Sequence, residues 1–144
     1  MQTAIAMMVW MLVATGQFQF VTFDEEADFA AIKSFSVRQG ELKGLGGEFN
    51  RHEIVSFEEV IRSGLSAKGL KETSDRPDIV VTYGVVVSTS GKDSYAVLTL
   101  DINRSVARKI WNGYLETGPR LSPELPDVLR EAVKTLLAKY PPRK

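Results

Sequence analysis

Apolar and polar positions along this chain follow two periods, and the period of two dominates the middle. In "SYAVLTLDIN", Ser94 to Asn103, the side chains Ala96, Leu98, Leu100 and Ile102 point one way. Val97, Thr99, Asp101 and Asn103 point the other, as in a strand with one face toward a core. The preceding "DIVVTYGVVVST" is almost continuously apolar, which suits a central strand covered on at least part of both faces. "RKIWNGYLET" supplies a third strand. "SGKD", Ser90 to Asp93, joins the first two, and "RSVA", Arg104 to Ala107, joins the second to the third. Short connections between sequential strands predict an antiparallel meander.

The dipeptide Asn112-Gly113 inside the third strand is a common hairpin signal. A turn there would cut the segment into two short stubs. Placing the turn at Arg104–Ala107 instead gives two strands of useful length. Trp111, Gly113 and Leu115 then share one face, with Gly113 as a gap that admits a neighbouring side chain or helix. Upstream, "FQFVTF", Phe18 to Phe23, is aromatic and β-branched and predicts a strand. Asp24 to Asp28 reads as an acidic turn and "SFSV", Ser34 to Val37, as a short strand. Arg38 to Asn50, with Gly40, Gly44, Gly46 and Gly47, reads as a mobile loop. It lacks the final Lys-Ser/Thr and the flanking strand and helix of a phosphate loop.

Two segments carry the helical period. Ile54, Phe57, Ile61 and Leu65 make one apolar face, opened by a capping pair, either Ser56 with Glu59 or Asn50 with Glu53. Gly69 is placed to end that helix; Gly64 inside it weakens propensity, and close packing onto a sheet is one reason to tolerate it. The second helix starts with Ser122 as N-cap and Pro123 at the first position. Its stripe runs through Leu125, Val128, Leu129, Ala132, Val133, Leu136, Leu137 and Tyr140 to a stop at Pro141-Pro142. The order β-β-α-β-β-β-α, with one apolar stripe per helix, predicts an α+β two-layer sandwich: an antiparallel β-sheet with two helices packed on one face.

The first twenty residues differ from the rest in having no charged side chain. Ala4 to Val13 has the length of a signal-peptide apolar region and is short for a membrane span. "ATG", Ala14 to Gly16, offers small residues for cleavage before Gln17, although the start lacks Lys and Arg. We therefore expect residues 1–16 to be a signal-peptide-like or anchor segment and 17–144 a single α+β envelope domain. A buried N-terminal strand or helix is the alternative.

Composition narrows the chemistry. Of 144 residues, 18 are Lys or Arg and 18 are Asp or Glu, so the net charge is zero and gives no footprint for nucleic acid. Without cysteine there are no disulfides, thiolate nucleophiles or Cys-based zinc sites. The one histidine, His52, lies beside a loop with no serine nucleophile context. "DEEAD", Asp24 to Asp28, lacks the spacing and glycine of a calcium loop. Asp101 could work as one of two carboxylates only with Glu116, and a polar outer sheet face explains both without catalysis. These readings predict no enzyme, no cofactor and no metal site. Tyr83, Tyr95, Asp101, Trp111 and Tyr114 remain as a candidate ligand or partner surface, although Trp111 reads first as a core or sheet-edge anchor under the helices.

Several blocks in order resemble a known family. "VTFDEEADFAAIKSFSV", "IRSGLSAKGL", "RPDIVVTYGV", "LTLDINRSVARKIWNGYLE" and "AVKTLLAKYPP" are similar to the bacterial lipoprotein-like family of the domain of unknown function numbered 4136, over about Val21 to Pro142. The resemblance implies an envelope domain, a sheet backed by helices, and no established activity. Members typically carry a lipobox ending in Cys, whereas the corresponding position here is Gln17, so lipidation is not expected. The expectation is a periplasmic or membrane-associated accessory domain. Its partner would be an envelope protein or component, with residues 1–16 as the route to the membrane. A small-molecule or lipid carrier, with a cleft between sheet and helices, is the alternative.

Overall fold

The computed structural model describes residues 5–12, 17–46, 49–105 and 107–142, with the side chains of 5–12 left aside. Among the described residues, eight strands and two α-helices follow in the order β1 (Ile5–Leu12), β2 (Gln17–Asp24), β3 (Ser34–Lys43), α1 (Arg51–Ser66), β4 (Lys71–Glu72), β5 (Ile79–Ser90), β6 (Asp93–Ser105), β7 (Arg108–Glu116), β8 (Arg120–Leu121) and α2 (Leu125–Leu137). Single 3-10 turns stand at Phe29–Ala31 and Ser122–Glu124.

Among the described residues one sheet runs β1-β2-β7-β6-β5-β3-β4, and β8 pairs with β6 beyond the end of β7. The meander β5-β6-β7 is antiparallel, as the alternating pattern requires. The sheet as a whole is mixed, which corrects the expectation of a purely antiparallel one. β3 pairs in parallel with both β5 and β4. Parallel neighbours need a crossover rather than a tight turn, and α1 is that crossover between β3 and β5.

The helices lie on one face. From β5 that face receives Ile79, Val81, Tyr83, Val85 and Val87; from β6 it receives Ala96, Leu98, Leu100 and Ile102. Phe57, Ile61 and Leu65 of α1 and Leu129, Val133 and Leu136 of α2 close the same core. The meeting of apolar stripes with alternate strand positions is the α+β arrangement that the periodicities predict.

Local signals account for the element ends. Asn50 caps α1: its side chain accepts the Glu53 amide at 3.0 Å, so the earlier of the two capping pairs operates. Gly69 ends that segment at φ +91°, and the Leu70 amide returns to the Leu65 carbonyl at 3.3 Å. The β5–β6 hairpin closes over Gly91 and Lys92, with Gly91 at φ +64°.

Four readings are corrected in detail. β3 runs on to Lys43, through a stretch that reads as loop, with an irregular register between Gln39 and Leu42. A Cβ at Gly40 would lie 2.8 Å from the Tyr83 carbonyl oxygen, so this glycine serves strand contact rather than mobility. Gly64 packs against Leu137 of α2, with 2.8 Å from a built Cβ to its Cδ1, and not against the sheet. Ser122 opens a 3-10 turn instead of capping α2, and its hydroxyl bonds Ser94 Oγ at 2.8 Å. β6 and β7 extend to Ser105 and from Arg108, so their connection is tighter than Arg104–Ala107. Of the leader-like segment, residues 1–4 and 13–16 lie outside the described residues, and Ile5–Leu12 pairs antiparallel with β2.

Candidate binding face

The five residues singled out from the sequence divide between the two faces of the sheet. Tyr95, Asp101 and Tyr114 lie on the open face, over which no described helix packs. Tyr83 and Trp111 are each 1% exposed beneath the helices. They cannot contribute to a surface, and the reading of all five as one surface is corrected to that extent.

Trp111 fills the core position its parity implies. Its ring meets Tyr140 edge-on at 5.9 Å, and it occupies the gap at Gly113, where a Cβ would stand 2.8 Å from Trp111 Cη2. Neither the Trp111 indole nitrogen nor the Tyr140 hydroxyl has a hydrogen-bond partner among the described residues. Burial pushes the Tyr140 hydroxyl up to about 12. Tyr83 donates a short hydrogen bond from its hydroxyl to Glu58 of α1. Glu58 lies 3.4 Å from Arg62, which pairs with Glu72 at 2.8 Å. Burial first, and the Glu58 carboxylate second, raise the Tyr83 pKa. This chain ties α1 to β5 and β4, which is a structural duty for a tyrosine that reads as a ligand group.

The open face has two ends of different character. At one end Phe18, Phe20 and Tyr114 form a half-buried aromatic cluster. Phe20 and Tyr114 stack at 4.8 Å, and Phe18 meets them edge-on at 5.8 and 6.5 Å. Burial and the nearby Glu116 carboxylate raise the Tyr114 pKa. The two phenylalanines lie on β2, apart in sequence from the strand aromatics Tyr83, Tyr95, Trp111 and Tyr114. The signal for them is the period of two in "FQF", which puts Phe18 and Phe20 on one side of β2. The cross-strand register supplies the rest, pairing Phe20 with Tyr114. Tyr95, 42% exposed, lies on the same side of β6.

The other end is polar. Thr82, Asp101 and Asn112 are successive cross-strand partners. Asn112 donates to Asp101 in a short bond, and Lys109 approaches Asp101 at 3.4 Å. Glu116 is four residues further along β7 than Asn112, so it sits about 13 Å from Asp101 along the sheet. The two carboxylates do not face each other, which removes the geometry for paired acid–base chemistry. His52 is exposed at the start of α1, away from both. Asp24 of the acidic run is spent on structure: one carboxylate oxygen accepts the Glu26 amide at 2.9 Å and the other meets Arg108 at 3.0 Å. Among the described residues no three His, Cys, Asp or Glu side chains group as metal ligands.

A cavity between sheet and helices, lined by Leu42, Leu45, Phe49, Ile54, Phe57, Tyr83 and Val85, has a volume of about 10 Å³. That is room for about one water molecule. No described helix is long and apolar enough to cross a membrane.

Residues 19–142 match the family described as "Domain of unknown function (DUF4136)". The chain belongs to the DUF4136 family. The match covers every element from β2 to α2, as the order of sequence blocks implies. No curated protein sequence matches the chain. Among solved structures, the DUF4136 domain is similar to a PDZ domain protein from Parabacteroides distasonis at TM-score 0.69 and 15% identity. The similarity covers 99% of this chain and 38% of that one. It is also similar to PelC from Paraburkholderia phytofirmans, solved as a dodecamer, at TM-scores of 0.58 and 0.57 and 13% identity. Those matches cover 89% of this chain and 99% of PelC. At these identities the likeness is one of fold.

Proposed function

We propose that this DUF4136 domain is a non-catalytic accessory domain of the cell envelope that binds a protein partner through the open face of its sheet. The observation that carries the reading is the Phe18–Phe20–Tyr114 cluster. Three aromatic rings stack on a sheet face with no described helix above them. Packed aromatics at a surface are the usual anchors of protein interfaces. The separation of Asp101, Glu116 and His52 supports a binding role over a catalytic one. The uncharged, apolar composition of residues 1–16 is the motive for an envelope location, while Ile5–Leu12 pairs with β2 as a strand. The volume of about 10 Å³ between helices and sheet supports partner binding over carriage of a lipid or small molecule in a cleft there.

The partner can be another copy of the chain, since PelC, matched over 99% of its length, was solved as a dodecamer. Cross-linking in envelope fractions followed by pull-down tests the proposal. Wild-type protein should retain a defined partner, and Phe20→Glu with Tyr114→Glu should lose it. A strictly cytosolic location on fractionation, or equal retention by the double variant, contradicts it.

A further inference from the structure

The margin of the sheet at its polar end carries a second feature. Arg38 of β3 and Arg104 of β6 flank a cavity of about 280 Å³, with Thr82, Asn103 and Ser105 also on its wall and Pro77 and Val80 among its lining. The register places these groups together: Arg38 pairs with Thr82, and Val80 with Asn103. We propose that this cavity binds a small phosphate ester.

Among the described residues no carboxylate pairs directly with either arginine of the site. Arg62, Arg108 and Arg130 each have a carboxylate within 3.0 Å. Neither the Arg38 nor the Arg104 guanidinium makes a hydrogen bond or ion pair among the described residues. Two carboxylates stand near. Asp78 interacts electrostatically with Arg104, but one of its oxygens already accepts the amides of Lys33 and Ser34 at 2.8 and 3.2 Å. Asp101, across from Thr82, is held by Asn112 and Lys109. The cavity therefore presents two cationic forks that can only donate, together with hydroxyl and amide groups that can donate.

That donor set selects an oxyanion. A guanidinium matches two phosphate oxygens at once, and two of them match the charge of a phosphomonoester. Pro77 and Val80 offer apolar surface to the carbon part, which favours an ester over the bare ion. The volume is at the lower end for ligand sites, so the ligand is small or is the headgroup of a larger molecule. This site stands whether or not the aromatic end docks a protein.

Titration of the full chain with glycerol 3-phosphate, followed by backbone amide NMR, tests it. Saturable shifts are expected at Thr82, Asn103 and Arg104, weakening as salt rises. Arg38→Gln with Arg104→Gln should lower the affinity at least tenfold, while Lys92→Gln at the far hairpin leaves it unchanged. Both arginines are exposed, and the two single variants, each expected to weaken binding, serve if the double variant does not fold. Vesicles containing phosphatidylglycerol identify the source: binding that depends on the same arginines assigns a lipid headgroup, and response to the soluble ester alone assigns a free phosphate ester. Absence of saturable shifts, or equal shifts in the double variant, overturns the site.

Discussion

Gly113 shows how one missing side chain organises the centre of the core. A Cβ there would meet Trp111 Cη2 at 2.8 Å, Trp111 Cζ3 at 3.0 Å and Leu136 Cδ1 at 3.3 Å. The obstacle is a fully buried indole ring wedged against Tyr140, not the tip of a flexible chain. Gly113→Ala is therefore an overpacking substitution, and we expect it to destabilise the fold by roughly 1–3 kcal/mol. Urea unfolding measures this directly; a cost within error of zero would mean that the indole has room to move. The gap, and the face it opens on, are legible in the sequence because Trp111, Gly113 and Leu115 share parity. The same rule separates Trp111 from Tyr114, three residues apart, and so divides the candidate surface. Tyr83 is harder to place. Its strand has Val or Ile on both faces, so only the register with β6 shows which side is covered.

At the scale of elements, strict alternation in β6 and the stripes of α1 and α2 predict what is found. The extent of β3 is hidden because glycines read as loop. Gly40 is accepted in the strand because a carbonyl of β5 passes within 2.8 Å of where its Cβ would be. The parallel pairing of β3 with β5 is hidden for a different reason: no local pattern distinguishes a crossover from a hairpin partner chosen elsewhere in the chain. The two strands are clasped at their starts. The Asp78 carboxylate accepts the amides of Lys33 and Ser34, and the Asp78 amide donates to Ser34 Oγ at 2.8 Å. The hydrogen bond from the Lys33 amide leads the causes that hold the Asp78 pKa below its usual value. A depressed folded-state pKa contributes stability that is present above the unfolded value, near pH 4, and is lost as pH falls through the folded value. Asp78→Asn should therefore lower the urea midpoint at pH 7 and narrow the gap to wild type as the buffer is taken to pH 3. A gap that stays constant with pH would show that the clasp does not depend on ionisation.

For the whole molecule, one sheet is used in two ways. Its covered face is closed by two helices around Trp111, Tyr83 and the aliphatic core. Its open face carries aromatic rings at one end, and Arg38 and Arg104 flank a cavity at the opposite end of the sheet. Zero net charge conceals this polarity, because composition sums over a surface that the fold separates. We propose that the domain meets its partner on the open face. Site-specific photo-cross-linking in the native host tests it most directly. A photoreactive phenylalanine is placed at Tyr114 in one strain and at Val55, 53% exposed on α1, in another. A discrete adduct at Tyr114 that is missing at Val55 is the predicted result. The same adduct at both positions, or at Val55 alone, would contradict the claim.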